Sequence, residues 1–187
     1  ETLENDGVVD CCDGSDEPVY SSSDSGNSDE NNKNNCRQQL YRSHFLIKDG
    51  VARKYFKHNE KEITTEIYFR DDVAVSLDSY IMRKPSEVYI EALTQLDVTV
   101  IDYNKFNKVK EKHTEVMMLD KMFIEYYAVW FEQRLKMFQT EDASQRYMNL
   151  LEKEPWVVQK LPVTIIASYL NVSLETLSRI RAKMIVK

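Results

Sequence analysis

Glycine and cysteine are scarce in this sequence, whose 187 residues include only four glycines and three cysteines. The few glycines, with no Gly-x-Ser-x-Gly motif, exclude a Gly-rich phosphate-binding loop and a nucleophile elbow. Cys11, Cys12 and Cys36 all lie in the first fifth of the chain, and an odd number with two adjacent does not indicate a disulfide framework. No apolar run reaches the roughly 18 residues that a membrane-spanning helix needs, so no membrane partner is expected.

Histidine is equally sparse. His44, His58 and His113 lie in unlike segments without a second ligand at helical or cysteine spacing, so no metal site is expected in residues 43–187. The sequence therefore predicts no catalytic residue, no metal and no cofactor. The start of the chain lacks the basic segment and apolar core of a signal peptide, and a cytoplasmic location is the expectation.

The net charge of −6 is unevenly distributed. Residues 1–35 contain ten acidic residues and one cation, Lys33, for a net charge of −9, so the rest of the chain carries +3. Residues 1–42 are rich in Ser, Asn, Asp and Glu and contain few apolar side chains to offset the entropy of ordering. We therefore expect an acidic, disordered leader over residues 1–42.

One fragment of this leader, residues 5–17, faintly resembles the acidic calcium box of low-density-lipoprotein receptor class A modules. Carboxylates at this spacing can ligate Ca²⁺. That module needs paired cysteines to hold its loop, and Val9 stands where the resemblance expects one of them. The departure argues against calcium binding, and a secreted calcium-binding protein is the weakest of the alternatives.

Residues 43–105 show the two-residue periodicity of β-strands. Apolar and polar side chains alternate over residues 51–56 and 63–70, and two further alternating runs cover residues 87–92 and 98–102. His58-Asn59-Glu60-Lys61 has the polar composition of a hairpin turn. Several short strands at this spacing predict a roll or barrel.

A long amphipathic helix is predicted from about residue 104 to residue 138, where neither glycine nor proline occurs. Its apolar residues recur at intervals of three, four and seven, and the stripe is too broad for one small domain to cover. We assign residues 106–139 to dimerisation, through Leu119, Met122, Phe123, Tyr126 and Trp130. The alternative is that much of the stripe packs into the chain's own core.

Residues 140–187 end in two short helical patterns around a three-residue turn, over residues 163–170 and 174–181. Pro162 marks the entry to the first helix, and the Ser173 hydroxyl can cap the second. Asn171 occupies the turn, where a positive φ is tolerated by Gly and Asn. This arrangement predicts a helix-turn-helix, although a purely structural αα-corner has the same spacing.

Polar side chains on the outward side of the second helix favour DNA binding over a structural corner. Glu175 can accept from cytosine N4 and Arg179 can donate two hydrogen bonds to guanine, while other members can hold phosphates. The predicted DNA-binding residues are Ser173, Glu175, Thr176, Ser178, Arg179, Arg181 and Lys183.

The motif Ile166-Ala167-Ser168-Tyr169-Leu170, followed by Glu175-Thr176-Leu177-Ser178-Arg179-Ile180-Arg181, resembles the Crp/Fnr family of bacterial regulators, especially its Bacteroidetes branch. The resemblance extends over about residues 43–187 and includes Lys84-Pro85-Ser86. It implies a cyclic-nucleotide-binding-like β-roll (a double-stranded β-helix), a dimerisation helix and a carboxyl-terminal helix-turn-helix. It also implies that Glu175 and Arg179 read bases and that a homodimer binds double-stranded DNA at inverted-repeat half-sites.

Two departures from the family bear on sensing. The Gly-Glu pair of members that bind a cyclic nucleotide is missing, and Ser86 stands about where their phosphate-binding arginine would be. The family's first strands also have no counterpart, which predicts a truncated β-roll. The expected fold is thus α+β, and the expected function is a transcription regulator that does not sense cyclic AMP, with an unknown small-molecule effector left open. The alternative is a ligand-sensing or interaction module of the same fold that does not bind DNA.

Overall fold

The structure is a computed structural model that describes residues 42–185. The calcium-box fragment over residues 5–17, and the predicted leader up to residue 41, lie outside the described residues. The described chain divides into two compact units between Asn107 and Lys108. It combines antiparallel sheets with helices, which confirms the predicted α+β class.

Six strands in residues 42–107 form two three-stranded antiparallel sheets. The strands are β1 (Ser43–Asp49), β2 (Ala52–His58), β3 (Lys61–Tyr68), β4 (Val73–Ala74), β5 (Tyr89–Ala92) and β6 (Asp97–Asp102). One sheet has the order β4-β1-β6 and the other β3-β2-β5. These strands occupy the region of the predicted roll, whose role as a sensor stays a prediction.

Two turns explain how the strands reverse. β2 pairs with β3 through His58 and Lys61, and the residues between them, Asn59 and Glu60, have φ values of 47° and 63°. A two-residue loop with two positive φ angles matches the right-handed twist of a hairpin, as predicted for this polar turn. Gly50, between β1 and β2, has a φ of 91°, and an added Cβ would lie 2.7 Å from Leu96 Cδ2. This turn therefore requires glycine.

The two sheets share one apolar core. Because side chains alternate between the faces of a strand, β1, β5 and β6 each contribute two residues that are two positions apart, and β2, β3 and β4 contribute one residue each. The buried members are Phe45, Ile47, Ala52, Tyr68, Ala74, Ile90, Leu96 and Val98, with Ala92 and Val100 partly buried beside them. Burial of these side chains is the main driving force for folding of this unit.

Seven helices occur among the described residues. They are α1 (Leu77–Met82), α2 (Tyr103–Lys112), α3 (Thr114–Thr140), α4 (Ala143–Lys153), α5 (Pro155–Lys160), α6 (Val163–Tyr169) and α7 (Leu174–Ile185). Pro155 is the first residue of α5, a position where its missing N–H costs no helical hydrogen bond. Asp142 caps α4 by accepting hydrogen bonds from the Ser144 and Gln145 backbone N–H groups.

The prediction of a single long helix over residues 104–138 is wrong in the amino-terminal third of that range. His113 has extended backbone angles, φ −132° and ψ 104°, and separates α2 from α3. Any residue can adopt this conformation, so neither glycine nor proline marks the break. Lys110 Nζ donates to Asp120 Oδ2 at 2.6 Å across the interruption. Helix α1, between β4 and β5, was not predicted because its six residues are too few to show a helical period.

Candidate nucleic-acid interface

The carboxyl-terminal helices α6 and α7 are held by a small apolar core. Ile166 on α6, its cap residue Leu170 and Leu177 on α7 are all almost fully buried. Helices α4 and α5 close this core. The other buried residues of this unit are Tyr147, Val157, Val158, Leu161, Ile165, Ala167 and Ile180.

The connection between α6 and α7 follows the predicted chemistry. Asn171 has a φ of 53°, its N–H donates to Ser168 O at 3.0 Å, and the Val172 N–H donates to Ala167 O at 2.9 Å. This pair of bonds is the Schellman arrangement that ends a helix with a left-handed residue. Ser173 Oγ then accepts from the Thr176 N–H at 3.1 Å, which confirms Ser173 as the N-cap of α7.

Helix α7 separates an apolar face from a polar one. Leu177 and Ile180 point into the core, whereas Glu175, Arg179 and Lys183 are exposed. With about 3.6 residues per turn, Glu175 and Lys183 lie one turn before and one turn after Arg179 on the same side. Two acceptor oxygens and two cations are thus presented along one exposed face of the helix.

The other predicted DNA-binding residues lie at the margins of this face or away from it. Ser178 is exposed, and Ser173 is exposed but its hydroxyl donates to Thr176 Oγ1 at 2.9 Å. Thr176 is half-buried beside it. Arg181 is also half-buried and lies about two residues, or roughly 200°, around the helix from Arg179. The structure therefore does not bring Arg181 onto the face that carries Glu175, Arg179 and Lys183.

The cations of α7 have no acidic partner in the described chain. Within residues 42–185, no ion pair joins Arg179, Arg181 or Lys183 to a carboxylate, although other cations there form such pairs. An uncompensated cation on an exposed helix face attracts anions, and a phosphate backbone supplies them at high density.

Helix α3 exposes a second candidate surface, here called the α3 stripe: Leu119, Met122, Tyr126 and Val129. Their spacing of three, four and three residues places them along one side of the helix, and each is more than half exposed. Phe123 and Trp130, also predicted for dimerisation, are half-buried beside Tyr127, whose ring centroid lies 6.5 Å and 5.7 Å from theirs. Only part of the predicted set is therefore fully exposed.

The sheet unit buries charged side chains against one another. Lys54 and Glu66 are directly opposite each other on β2 and β3, are both buried and form an ion pair. Glu66 Oε2 also accepts from Tyr68 Oη at 2.8 Å, and Lys54 Nζ donates to Val75 O at 3.3 Å. Opposite partners and backbone oxygen thus offset the cost of removing these charges from water.

Arg53, the neighbour of Lys54, binds two carboxylates. Its Nε donates to Glu91 and its Nη2 to Glu62. Burial lowers the pKa of Arg53, but the hydrogen bonds and charges of Glu62 and Glu91 outweigh burial and raise the pKa above its ordinary value. The guanidinium is therefore charged and committed to this chain's own acids.

Ser86, expected near the family's phosphate site, is buried and engaged internally. Its Oγ lies 2.9 Å from Ser76 Oγ and 2.9 Å from Val88 O, and it accepts from the Val88 N–H at 3.1 Å. The one proton of this hydroxyl is directed at Ser76 Oγ and Val88 O, and one lone pair accepts from the Val88 N–H. The side chain at this position presents neither a charge nor a spare donor.

Residues 42–185 contain no group of three or more His, Cys, Asp or Glu side chains arranged to hold a metal ion. None of their helices combines the length and the apolar character that crossing a membrane would require.

Neither a protein-family model nor a curated protein matches this chain, but solved structures do. FixK2 from Bradyrhizobium japonicum has a TM-score of 0.65 at 16% identity, over 79% of this chain and 76% of that one. A transcriptional regulator assigned to the Crp/Fnr family, from Eubacterium rectale, has a TM-score of 0.63 at 22% identity, over 78% and 70%. A CooA variant from Carboxydothermus hydrogenoformans has a TM-score of 0.58 at 16% identity, over 76% and 66%. At these identities the likeness concerns the fold, and the chain shares its fold with structures that include a transcriptional regulator of the Crp/Fnr family.

Proposed function

We propose that this chain is a dimeric transcription regulator that binds double-stranded DNA through α7 and does not respond to cyclic AMP. The observation that carries the proposal is the exposed face of α7. Glu175, Arg179 and Lys183 follow one another along it, and no acid of the described chain neutralises its cations. The fold shared with a Crp/Fnr regulator supports the same function.

In this proposal α7 lies in the major groove of DNA. Arg179, at the centre of the exposed face, donates to guanine O6 and N7, and Glu175 accepts from cytosine N4. Lys183 contacts a phosphate, as do Ser173, Thr176 and Ser178 near the amino end of the helix, where backbone N–H groups favour an anion. Arg181, which lies off this face, is not part of the proposed interface. The buried Leu177 and Ile180 hold the helix against α6 while its polar face remains free for DNA.

The proposed dimer forms through the α3 stripe. A leucine, a methionine, a tyrosine and a valine at heptad-like spacing leave a continuous apolar strip that a second copy of α3 covers. Two copies related by a twofold axis read two half-sites as an inverted repeat. The half-site centres are then about 10–10.5 base pairs apart, or a multiple of that distance.

Selection of bound sequences from a random DNA pool tests this function directly. We expect an inverted repeat to be enriched, and the affinity to fall steeply as salt rises because phosphate contacts release counterions. A pool without enrichment, together with salt-independent or absent binding, would instead favour the alternative of a ligand-sensing or interaction module that does not bind DNA.

Two substitutions on α7 separate base reading from phosphate contact. Arg179→Ala should cost about 1–3 kcal/mol per half-site against the preferred base and much less against a site already changed at that base pair. Lys183→Ala is the matched control on the same face, and should weaken binding to all sequences alike. A uniform loss for Arg179→Ala across every site would show that Arg179 contacts only the backbone.

Cyclic AMP insensitivity is proposed from the surroundings of Ser86. Its one hydroxyl proton is engaged by Ser76 Oγ and Val88 O. An uncharged side chain without a spare donor cannot replace the paired, bidentate contact that arginine makes with a phosphate. Calorimetric titration with cyclic AMP should therefore give no binding heat at micromolar nucleotide. A saturable micromolar isotherm would contradict this part of the proposal.

A further inference from the structure

The carboxyl end of α6 has an unusual set of hydrogen-bond partners. The last carbonyls of a helix lack partners within the helix and must find them elsewhere. Ile166 O accepts from the Leu170 N–H, Ser168 O from the Asn171 N–H and Ala167 O from the Val172 N–H. The helix and the turn after it thus supply partners for three carbonyls, and two arginines donate to the next two, those of Tyr169 and Leu170.

An arginine from the long helix α3 reaches the first of these two carbonyls. Arg134 Nη2 donates to Tyr169 O at 2.9 Å, across 35 residues of sequence. Its guanidinium carbon lies 4.0 Å from the centroid of the Tyr169 ring and 4.9 Å from that of Phe138. Hydrogen bonding and stacking on aromatic faces are both properties of guanidinium that an ammonium group cannot reproduce together.

A second arginine, on α4, reaches the other carbonyl. Arg146 Nε donates to Leu170 O at 3.0 Å, and its Nη1 donates to Glu141 O, at the end of α3, at 2.7 Å. The guanidinium carbon lies 5.5 Å from the Phe138 centroid, so Phe138 has both arginines as neighbours. Arg146 thus joins the end of α3 directly to the end of α6.

We propose that Arg134 and Arg146 are positioning residues that hold the α6–α7 pair at a set orientation to α3, through the Tyr169 and Leu170 carbonyls. Two positive charges at the carboxyl end of α6 also complement its dipole. Because only residues 170–173 separate α6 from α7, fixing the end of α6 fixes the start of α7. The inference rests on the proposed function in one respect: the orientation matters because a dimer must place two α7 helices on half-sites at one separation.

The experiment compares four variants of the full chain. Arg134→Gln and Arg146→Gln remove the guanidinium groups, and Arg134→Lys keeps the charge while losing the planar stack. Lys136→Gln is the matched control, since Lys136 is an exposed cation two residues further along α3. Denaturation midpoints of all four identify any variant that is unfolded under the assay conditions.

The first readout does not depend on DNA. The three native cysteines are first changed to serine. Spin labels are then attached to cysteines introduced at two exposed positions, Glu132→Cys in α3 and Ala182→Cys in α7. Pulsed electron resonance on protein diluted with unlabelled chains then gives the distribution of the α3–α7 distance. We expect Arg134→Gln and Arg146→Gln to broaden it, Arg134→Lys to broaden it less, and Lys136→Gln to leave it unchanged.

The second readout uses label-free protein and selected operators whose half-site separation is varied one base pair at a time. Loss of either guanidinium should reduce the preference for the best separation by about tenfold, or about 1.4 kcal/mol. A role in stability alone would not change this preference. Unchanged distance distributions, or an equal loss of affinity at every separation, would refute the positioning role. Broadened distributions in a chain that binds no DNA at all would retain the positioning role and reject the proposed function.

Discussion

Substitution of Met122 by alanine should weaken dimerisation without affecting folding. Met122 lies in the middle of the α3 stripe with 62% of its surface exposed. In the proposed dimer this surface is covered by the second copy, whereas in a monomer it remains in water.

The size of the effect follows from the exposed fraction. Complete burial of a methionine side chain is worth about 1.5–3 kcal/mol, and the part of Met122 still exposed corresponds to about 1–2 kcal/mol for each copy. Alanine retains a little of this, and both copies lose the rest. We therefore expect a dimer dissociation free energy lower by about 2 kcal/mol, which raises the dimer Kd about thirtyfold.

Sedimentation equilibrium over a concentration series measures this Kd for the full chain. Met148→Ala is the matched control, because Met148 is 55% exposed but lies on α4, outside the α3 stripe. We expect Met148→Ala to leave the Kd within about twofold of the parent, since exposed substitutions away from an interface have small effects. Thermal unfolding of both variants should differ little from that of the parent.

Equal dimer dissociation constants for Met122→Ala and Met148→Ala would refute the assignment of the α3 stripe as the dimer surface. A parent chain that stays monomeric at every concentration would refute the dimer itself.

Two further predictions concern charged groups of the sheet unit. Removing one partner of the buried Lys54–Glu66 pair, as in Glu66→Leu, should reduce the free energy of unfolding by about 3–5 kcal/mol. Adding Lys54→Met should recover most of the loss, because no unpaired charge then stays buried. Urea titrations that show the double variant to be as unstable as Glu66→Leu would contradict this. Partial burial raises the pKa of Asp78, but hydrogen bonds from Ser76, the Ser79 N–H and Lys84 outweigh it and hold the pKa below the ordinary value of 3.8. Asp78 therefore stabilises the fold above that pH, and this contribution is lost as the pH falls through the lowered pKa. The free energy of unfolding of Asp78→Asn should then decrease less than that of the parent between about pH 5 and about pH 2. Identical acid unfolding curves for parent and variant would argue against a stabilising role.

The turn between α6 and α7 and the start of α7 could be predicted from sequence because their causes are local, although α7 continues four residues beyond the predicted pattern. Ser173 caps α7 through a hydrogen bond to the N–H three residues later, and Asn171 adopts a positive φ as an asparagine in a turn can. Strands β2, β3, β5 and β6 were predictable for a similar reason, whereas β1 and the two-residue β4 were not among the predicted alternating runs. Alternation of side chains between two faces is a property of each strand alone, and it is visible before any partner is known.

The candidate DNA-binding face was only partly predictable. Helical spacing put Glu175, Arg179 and Lys183 together, because one turn separates each from the next. The half-burial of Arg181 depends instead on which side of α7 meets the core. For the same reason Phe123 and Trp130 shared a periodic pattern with the exposed α3 stripe, yet contact Tyr127 within their own helix.

Contacts between distant segments were decided by tertiary structure alone. In the sequence Arg134 lies four residues after Trp130 and four before Phe138. This spacing predicts that the three side chains are neighbours on α3, but it does not predict the hydrogen bond from Arg134 to the Tyr169 carbonyl. The ion pair of Lys54 and Glu66 likewise depends on the register of β2 and β3. The interruption at His113 needs only one residue in an extended conformation, and neither glycine nor proline marks it in the sequence. Sequence alone thus determined the helix caps, turns and strand periods, because their energies arise within a few residues. Packing decided which polar groups meet across the fold, because a buried donor or acceptor takes its partner from whichever segment the core brings within hydrogen-bonding distance.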